Sequence, residues 1–296
     1  MVETRIKGIL LAGGSGTRLY PMTQGASKQL LPVYDKPMIY YPLTTLMLAG
    51  IQDIMIISTP NDLPQFKRLL GDGSHLGVRF EYCEQPSPDG IAQAFILARD
   101  WLQNSPCALV LGDNLIFADH LGELLQKAAS RSHGATVFAY QVRDPERYGV
   151  VSFDEAGKAQ QIIEKPAEPP SNWAVTGLYF YDARVSEFAS RIKPSPRGEY
   201  EITDLNQIYL EDNSLHVERL GRGCAWLDAG VPDSLMQAGL FVQTIQSRQG
   251  MLVGSPEEVA YRKGFIDSEA LRNLAKKLKK TELGRMLAEI VDGPPV

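Results

Sequence analysis

The stretch KGILLAGGSGTRL at residues 7–19 decides how the chain begins to fold. Its first six residues form a short apolar run, and glycines end that run. Such a run is typical of a buried strand in a parallel sheet. Glycines directly after the first strand of such a sheet let backbone N–H groups approach phosphate oxygens. The stretch therefore predicts a strand over residues 7–12 followed by a phosphate-binding turn.

Two cations sharpen the interpretation of this turn. The glycines have neither the G-x-G-x-x-G spacing of dinucleotide-binding folds nor the GK[ST] ending of a P-loop, so by themselves they leave a purely structural turn open. Arg18 is the next-to-last residue of the stretch, and Lys28 follows ten residues later. Arginine grips phosphate with two hydrogen bonds, and lysine can follow charge as it builds on a leaving group. The combination favours a site for a triphosphate and its departing pyrophosphate.

The rest of the first half alternates short apolar runs with amphipathic ones. This rhythm predicts an α/β fold whose mostly parallel, Rossmann-like sheet is flanked by helices. The further strands are predicted at residues 53–58, 78–84 and 108–111. The helices are predicted at residues 41–49, 63–70 and 91–102.

The second half changes character. An antiparallel extension is predicted from strand-like segments at residues 135–142, 149–153, 160–164 and 175–181. A helix capped by Thr203 and a strand at residues 215–220 follow. From residue 231 the pattern is helical, with breaks at Pro256, Gly264 and Thr281. We expect one α/β unit over residues 1–240, divided near residue 134 into a first part with the phosphate-binding turn and a second part with the antiparallel extension. A helical appendage over residues 241–296 would complete the chain.

Composition excludes several other classes of protein. A formal net charge of −5 argues against a non-specific nucleic-acid binder, which would carry a basic face. The three cysteines (Cys83, Cys107 and Cys224) have no metal-binding or disulfide spacing, so we expect reduced thiols in a cytoplasmic protein. No apolar run approaches the ~20 residues of a membrane span, and the N-terminal run is too short for a signal peptide.

Two aspartates are candidate metal ligands. Asp113 follows a predicted strand in VLGDN, and Asp228 lies in AWLDAG far along the chain. Magnesium prefers one or two carboxylates together with phosphate oxygens and water. The spacing does not show that the two residues meet, and each could equally be a turn or helix-cap residue.

The sequence resembles a known family at several separate motifs. These are LAGGSGTRL at residues 11–19, SKQLLP at 27–32, YDKPMIYYP at 34–42, GDN at 112–114, EKP at 164–166 and WLD at 226–228. Together they closely resemble the signature of the sugar nucleotidyltransferases, in the form typical of thymidylyl transfer, and they span nearly the whole chain.

The resemblance implies a reaction. Magnesium-assisted in-line displacement would transfer dTMP from dTTP to α-D-glucose 1-phosphate, giving dTDP-glucose and pyrophosphate at the head of dTDP-L-rhamnose biosynthesis. The family is usually homotetrameric and regulated by feedback, without nucleic-acid or membrane partners. A uridylyltransferase that uses UTP is the main alternative.

The resemblance makes residues 1–134 the nucleotide-binding part and residues 135–240 the sugar-phosphate part of a nucleotidyltransferase domain, and it assigns roles to residues. The implied catalytic cations are Arg18, Lys28 and Lys165. The implied nucleotide-binding residues are Leu11, Gly13, Gly14, Ser15, Gly16, Thr17, Gln29, Gln85, Pro88 and Gly90. The implied sugar-binding residues are Asn114, Tyr148, Gly149, Glu164, Val175 and Tyr179. The implied metal ligands are Asp113 and Asp228, and the implied regulatory residues are Arg222 and Arg262, although Ala118 and Gly122 depart from the family pattern near that regulatory site.

Two readings from other classes compete with this one. A dinucleotide-dependent oxidoreductase would need an acidic ribose ligand at the end of the second strand. That strand ends in Ile57-Ser58-Thr59 without an acid, and Arg18 and Lys28 would have no role. A catalytically inactive relative is the second alternative, and the joint presence of the cations and aspartates speaks against it.

Overall fold

The computed structural model describes residues 5–14 and 16–293. The strands within these residues are β1 Lys7–Leu11, β2 Pro32–Val33, β3 Lys36–Pro37, β4 Asp53–Ser58, β5 Arg79–Glu84, β6 Cys107–Leu111, β7 Asn114–Phe117, β8 Ala135–Gln141, β9 Gly149–Phe153, β10 Ala159–Glu164, β11 Trp173–Tyr181, β12 Leu215–Arg219 and β13 Ala225–Asp228. The helices are α1 Tyr40–Leu48, α2 Leu63–Leu70, α3 Gln93–Leu97, α4 Arg99–Leu102, α5 Leu121–Ala129, α6 Val185–Ala189, α7 Ile202–Glu211, α8 Pro232–Gln249, α9 Pro256–Arg262, α10 Ser268–Lys277 and α11 Glu282–Asp292.

A nine-stranded mixed sheet organises the chain. Strands β5, β4, β1 and β6 lie side by side and run parallel. The next strand, β11, runs antiparallel to β6. The sheet forks at β11. The first branch continues through β8, on the edge of β11 opposite β6, and the second branch is β9, which pairs at Ala174 on the same edge as β6. The outer strands are β12 on the first branch and β10 on the second. The predicted α/β fold with an antiparallel extension is confirmed.

Strand β1 lies inside the sheet because both of its faces are apolar. Ile9 and Leu11 point into one core, which helices α3, α6 and α7 cover. Leu10 points into the opposite core, which is covered by α1, α2 and α5. A strand buried on both faces needs a continuous apolar run, and this explains why residues 7–12 show no polar alternation.

A bulge in β11 brings this strand close to β7. Val175 pairs with Ala139 and Tyr179 with Val137, so four residues of β11 span two of β8. Gly177 lies inside the bulge, where an added Cβ would come within 2.7 Å of the Asn114 side chain. The bulge therefore needs glycine at this position and directs β11 toward the start of β7.

A separate two-stranded ribbon joins distant parts of the sequence. Strand β7 pairs antiparallel with β13, and in this register Asn114 lies opposite Asp228. The N–H of Ala229 also donates to the carbonyl of Asp113 at 3.1 Å. Helix α8 covers the ribbon through Ala238 and Val242. The ribbon thus places Asp113, which directly precedes β7, close to Asp228 at the end of β13.

The C-terminal helices pack around a small core of their own. Leu271, Leu283 and Leu287 belong to it. The predicted breaks at Pro256 and Thr281 coincide with the starts of α9 and α11, and Thr281 caps α11 by accepting from Gly284 N–H at 3.1 Å. The boundary predicted at residue 240 falls inside α8, and the division into two units stays a prediction.

Two local predictions were wrong. The helix predicted over residues 91–102 is two short helices, α3 and α4, which meet at Ala98, whose ψ of −1° departs from regular helix. Thr203 lies inside the first turn of α7 instead of capping it, because Glu201 takes the cap position with extended backbone. The Thr203 hydroxyl donates to Glu164 instead.

The cysteines and the longest helices complete the description of the fold. Cys83, Cys107 and Cys224 are free thiols. Among the residues that the structure describes, no helix combines the length and the apolar character needed to span a membrane.

Candidate active site

A cleft of about 710 Å³ opens where β1 and β6 end. Open α/β sheets place ligands outside the carboxyl ends of their strands, and this cleft is in that position. Most of the residues predicted from the sequence line it, namely Leu11, Gly13, Gly14, Arg18, Gln29, Gln85, Pro88, Gly90, Asp113, Asn114, Tyr148, Gly149, Glu164, Lys165, Val175, Tyr179 and Asp228. Gly16, Thr17 and Lys28 are not among the residues that line it, and Ser15 lies outside the described residues.

The glycine turn delivers Arg18 to the cleft. Gly14 has a φ of 111° and Gly16 a φ of 59°, backbone conformations that residues other than glycine rarely adopt. The exposed Arg18 follows and reaches the ribbon, where a Cβ on Gly230 would lie 3.2 Å from its guanidinium. This arginine therefore stands at the cleft mouth, free to contact an anion.

Lys28 is buried behind the cleft and pairs with Asp113. Its side chain is 9% exposed, and its ammonium donates to Oδ2 of Asp113. Burial opposes ionisation of Asp113, but the charge and hydrogen bond of Lys28 outweigh it and lower the pKa of that carboxyl. The amide of Asn114 adds a second hydrogen bond to Asp113 at 2.9 Å. Asp113 is therefore held as a carboxylate.

Neighbouring groups compensate the negative charge of Asp228 less fully than that of Asp113. Burial raises its pKa, and the nearby charge of Asp113 adds to that effect. Tyr148 donates to its Oδ2 at 3.3 Å, and Arg147 approaches that atom at 3.6 Å. Two carboxylates that repel one another across a cleft favour the binding of a cation.

This donor set fits a hard divalent cation. Within the described residues no group of three or more His, Cys, Asp or Glu side chains is arranged to hold a metal. Asp113 and Asp228 offer carboxylate oxygens, so substrate phosphates and water would have to complete the shell. Magnesium sites commonly have this composition, whereas structural zinc sites close their shell with protein ligands.

Glu164 and Lys165 both line the cleft, although neighbours on a strand point to opposite faces. The reason is that β10 ends at Glu164 and Lys165 has a φ of 41°. The N–H of Lys165 donates to the Tyr148 carbonyl at 3.0 Å, which holds this left-handed backbone in place. Such backbone in a non-glycine residue is rare and concentrates at functional sites.

The carboxylate of Glu164 is oriented by its neighbours. Thr203 donates to Oε2 at 2.6 Å, and Gly149 packs against both groups. Tyr179 forms another wall, but it is 4% exposed and stacks on Tyr181, so it also belongs to the core. This end of the cleft combines a fixed acceptor, a lysine and aromatic walls, as a sugar phosphate requires.

Sequence reasoning missed two arginines that line the cleft, Arg147 and Arg197. Arg197 forms three hydrogen bonds to Glu201 of 2.8, 2.9 and 3.2 Å, which raise the pKa of its guanidinium, and one of 3.5 Å to Glu164. It lies in the loop KPSPRGEYE at residues 193–201, whose prolines and glycine read only as a turn. No local pattern signals its position beside Glu164.

The two predicted glutamines lie at the other end of the cleft. Gln29 donates to the Gly13 carbonyl at 3.4 Å and accepts from Ser27 at 2.9 Å. Gln85 is 2% exposed. Gly90 has a φ of 111° and packs so closely on Tyr200 that an added Cβ would lie 2.4 Å from its carbonyl oxygen.

The two residues predicted to be regulatory are not among those that line the cleft. Arg222 is exposed in the turn between β12 and β13. Arg262 ends α9 and donates to Glu258 at 2.8 Å. Their predicted role stays a prediction.

Comparison with known proteins places this geometry in context. The family model for nucleotidyl transferases matches residues 7–245. A glucose-1-phosphate thymidylyltransferase from Xanthomonas campestris is 58% identical over 287 residues, which cover 97% of each chain. A crystal structure described as a glucose-1-phosphate thymidylyltransferase from Bacillus anthracis in complex with sucrose is 41% identical, with a TM-score of 0.74, over 80% of this chain and 94% of that one. A UDP-glucose pyrophosphorylase complexed with UDP-glucose has a TM-score of 0.71 over 81% of this chain and 99% of that one, and at 24% identity this likeness concerns the fold alone.

Proposed function

Because this chain belongs to the nucleotidyl transferase family, and within it to the glucose-1-phosphate thymidylyltransferases, we propose that it transfers dTMP from dTTP to α-D-glucose 1-phosphate. The products are dTDP-glucose and pyrophosphate. Membership in the family makes the chain a nucleotidyltransferase, and the substrates follow from the names of its relatives and the chemistry of its cleft. The reaction is the first step toward dTDP-L-rhamnose.

One observation carries the proposal. A single cleft is lined by Asp113, Asp228, Arg18, Lys165 and Arg197, which come from distant parts of the chain, and Lys28 pairs with Asp113. Arg18 and Lys28 belong to the glycine-turn side, and Lys165 and Arg197 adjoin Glu164. Two phosphate-bearing substrates that must meet require positive charge on both sides of the reacting phosphorus. An oxidoreductase has no use for this second pair.

In-line displacement is the chemistry that this arrangement supports. A phosphate oxygen of the sugar phosphate attacks the α-phosphorus of dTTP, the new P–O bond forms, and the bond to pyrophosphate breaks. The attacking oxygen is already anionic near neutral pH, so no general base is needed. Lys165 and Arg197 position the attacking phosphate, while Arg18 and Lys28 stabilise charge on the departing pyrophosphate. Magnesium held by Asp113 and Asp228 would supply further charge stabilisation at the phosphates.

The preference for thymidine is inferred from the relatives. Gln29 and Gln85 can read a pyrimidine edge, but an amide does not sense the 5-methyl group of thymine. UTP is therefore the competing substrate. The Xanthomonas campestris relative named for thymidylyl transfer is 58% identical to this chain and the UDP-glucose pyrophosphorylase is 24% identical, and this favours dTTP.

Three properties complete the proposal. The divalent metal of the family is magnesium here, in keeping with the carboxylate pair. The enzyme acts in the cytoplasm as a homotetramer, without nucleic-acid or membrane partners. Arg222 and Arg262 belong to a second site through which the pathway product inhibits the enzyme, and a flat inhibition curve with dTDP-rhamnose would remove that assignment.

The direct test is pyrophosphate release from glucose 1-phosphate with dTTP, UTP, ATP or GTP in turn. We expect release that is fastest with dTTP, slower with UTP, and abolished by EDTA. Restoration by added magnesium would support the metal assignment. Faster release with UTP would identify a uridylyltransferase, and no release with any triphosphate would refute the proposed activity.

A further inference from the structure

Three side chains form a chain of hydrogen bonds at the base end of the cleft. Gln85 donates through Nε2 to Oε1 of Gln93 at 2.7 Å. Gln93 donates in turn through its own Nε2 to Oδ2 of Asp89 at 2.9 Å. Asp89 and Gln93 do not line the cleft, whereas Gln85 does. We refer to Asp89, Gln93 and Gln85 as the amide relay.

The relay has a direction that chemistry imposes. The oxygen and nitrogen of an amide are hard to distinguish by shape, so either orientation of an isolated glutamine is plausible. A carboxylate, however, only accepts hydrogen bonds. Asp89 therefore requires Gln93 to present its NH₂, which turns the Gln93 oxygen toward Gln85. The oxygen of Gln93 then requires the NH₂ of Gln85.

The end of the relay leaves one acceptor available. Oε1 of Gln85 lies against the glycine turn, where a Cβ on Gly13 would come within 2.3 Å of it. Gly13 lines the cleft together with Gln85. Among the described residues no group donates a hydrogen bond to this oxygen. The side chain is 2% exposed, so it has little room to turn over without breaking the relay.

The backbone fixes the other end of the relay. The carbonyl of Asp89 accepts from the N–H of Tyr200 at 2.6 Å, and Ala92 N–H donates to the Tyr200 carbonyl at 3.1 Å. The Ser87 hydroxyl also donates to Asp89. Asp89 is therefore anchored, and the orientation passes from Asp89 to Gln85 and not in reverse.

We propose that Asp89 and Gln93 are positioning residues that determine base specificity, because they hold Gln85 with its carbonyl oxygen toward the nucleobase. Thymine and uracil carry an N3–H donor that this oxygen accepts. Cytosine carries an unprotonated N3, which would place one acceptor against another. The inference rests on the proposed function for the identity of the nucleotide, and it adds the physical reason for rejecting a cytosine base.

Nucleotide binding can be measured without turnover, so it tests the amide relay independently of the proposed reaction. Isothermal titration with magnesium gives the dissociation constants of dTTP and dCTP without glucose 1-phosphate, and the ratio of the two is the readout. In wild type we expect dTTP to bind roughly ten- to a hundredfold more tightly, the range for a good base-edge pair. Asp89→Asn can donate or accept, so it releases the relay, and we expect the ratio to fall by about tenfold or more.

A second variant should restore the ratio. In Asp89→Asn/Gln93→Glu the new carboxylate at position 93 only accepts, so it again requires the NH₂ of Gln85. The charge-matched control is Asp100→Asn, an exposed position on α4, and it should keep the wild-type ratio. Loss in the single variant with recovery in the double variant is a pattern that a merely structural role would not produce.

Each outcome decides between the two claims. An unchanged ratio in Asp89→Asn, an equal weakening of both nucleotides, or no recovery in the double variant would overturn the relay. So would a wild type that binds dTTP and dCTP equally. If wild type prefers dTTP in binding but releases no pyrophosphate with glucose 1-phosphate, the proposed function fails while the relay stands.

Discussion

Asp113 follows β6 and Asp182 follows β11. Because these neighbouring strands are antiparallel, the two aspartates lie at opposite ends of the strands of one sheet. Asp182 is 4% exposed and accepts from the N–H groups of Gly134 and Arg184 at 2.7 and 3.0 Å. The Arg184 guanidinium and the Tyr209 hydroxyl complete its shell at 2.8–3.0 Å. At the other end of the strands, Asp113 shares one cleft with Asp228, whose negative charge the protein compensates poorly. The first arrangement is saturated, and the second has capacity left for a ligand.

The degree to which neighbours compensate the charge distinguishes a carboxylate that stabilises the fold from one that we propose binds the metal. Burial opposes ionisation of Asp182, but its hydrogen bonds outweigh burial and lower its pKa, so its ionised form stabilises the fold. Burial and the Asp113 charge raise the pKa of Asp228, so its ionised form destabilises the fold. Proteins tolerate such a penalty where function needs it.

The largest test of this comparison is Asp228→Asn. We expect turnover with dTTP and glucose 1-phosphate to fall by at least about a hundredfold, the typical effect of removing one charge-stabilising contact. The midpoint of thermal unfolding, measured in EDTA at pH 7, should stay the same or rise. The raised pKa means that the stabilising contribution of this carboxyl is lost as pH rises through its folded value, so asparagine removes a cost at pH 7. A clear drop in the midpoint would place Asp228 with the structural carboxylates.

Lys165→Ala tests the sugar-phosphate end of the same cleft. We expect kcat/KM for glucose 1-phosphate to fall by about a hundredfold, because the attacking phosphate loses a positioning cation. The matched control is Lys158→Ala in the turn between β9 and β10, where the lysine bonds to Asn213 away from the cleft. If both variants lose activity equally, or if Lys165→Ala unfolds, the positioning role is wrong.

At Asp182, whose hydrogen-bonding capacity is filled, the expected effect is on stability. Asp182→Asn should lower the free energy of unfolding at pH 7 by about 2–3 kcal/mol, because charged hydrogen bonds are lost in a buried site. The lowered pKa means that this stabilisation is present above the ordinary carboxyl pKa and disappears as pH falls through the folded value. Urea unfolding at pH 7 and at about pH 2 should therefore show that the difference in unfolding free energy between wild type and variant narrows below the ordinary carboxyl pKa of about 3.9.

A matched variant sharpens that measurement. Asp212 bonds to the same Arg184 guanidinium at 2.8 Å but is 43% exposed. Asp212→Asn should lower the free energy of unfolding much less than Asp182→Asn does, because water and salt screen exposed ion pairs. Equal losses of unfolding free energy in the two variants would show that Arg184, and not the burial of Asp182, determines the stability of this part of the fold.

The smallest expected effect belongs to Tyr148→Phe. The hydroxyl donates to Asp228 at 3.3 Å, a long hydrogen bond of about 1 kcal/mol at most. We expect kcat to fall no more than about fivefold, with the ring still packed edge-on against Trp226. A hundredfold loss in steady-state turnover would show that the hydroxyl takes part in the reaction itself.

The sequence predicted the sheet well because its signals there are local. Strands β4 and β9 and helix α2 have the predicted bounds, since apolar runs and terminal glycines mark them. Helices α5 and α6 were missed. The ribbon strands β7 and β13 were also missed, since each has four residues and gains its structure from a distant partner.

The same limit applies to the cleft. The glycine turn, Lys28 and the two aspartates stand in motifs that resemblance could find. Arg197 lies in a proline-rich loop, and the relay residue Gln93 lies on a short helix. Their importance follows from partners that only the fold brings close, such as Glu164 and Gln85. Pair geometry of this kind leaves no periodicity to read.

The ribbon of β7 and β13 has a consequence for the order of events during synthesis. Asn114 and Trp226, which bond across it, are 112 residues apart. Domains begin to fold from the N-terminus while the ribosome is still at work. A nascent chain that ends before β13 already contains the glycine turn, Arg18, Lys28 and Asp113, but it lacks Asp228. Because the proposed metal site needs Asp228, we expect catalytic competence to arrive late in translation, so that unfinished chains do not consume dTTP.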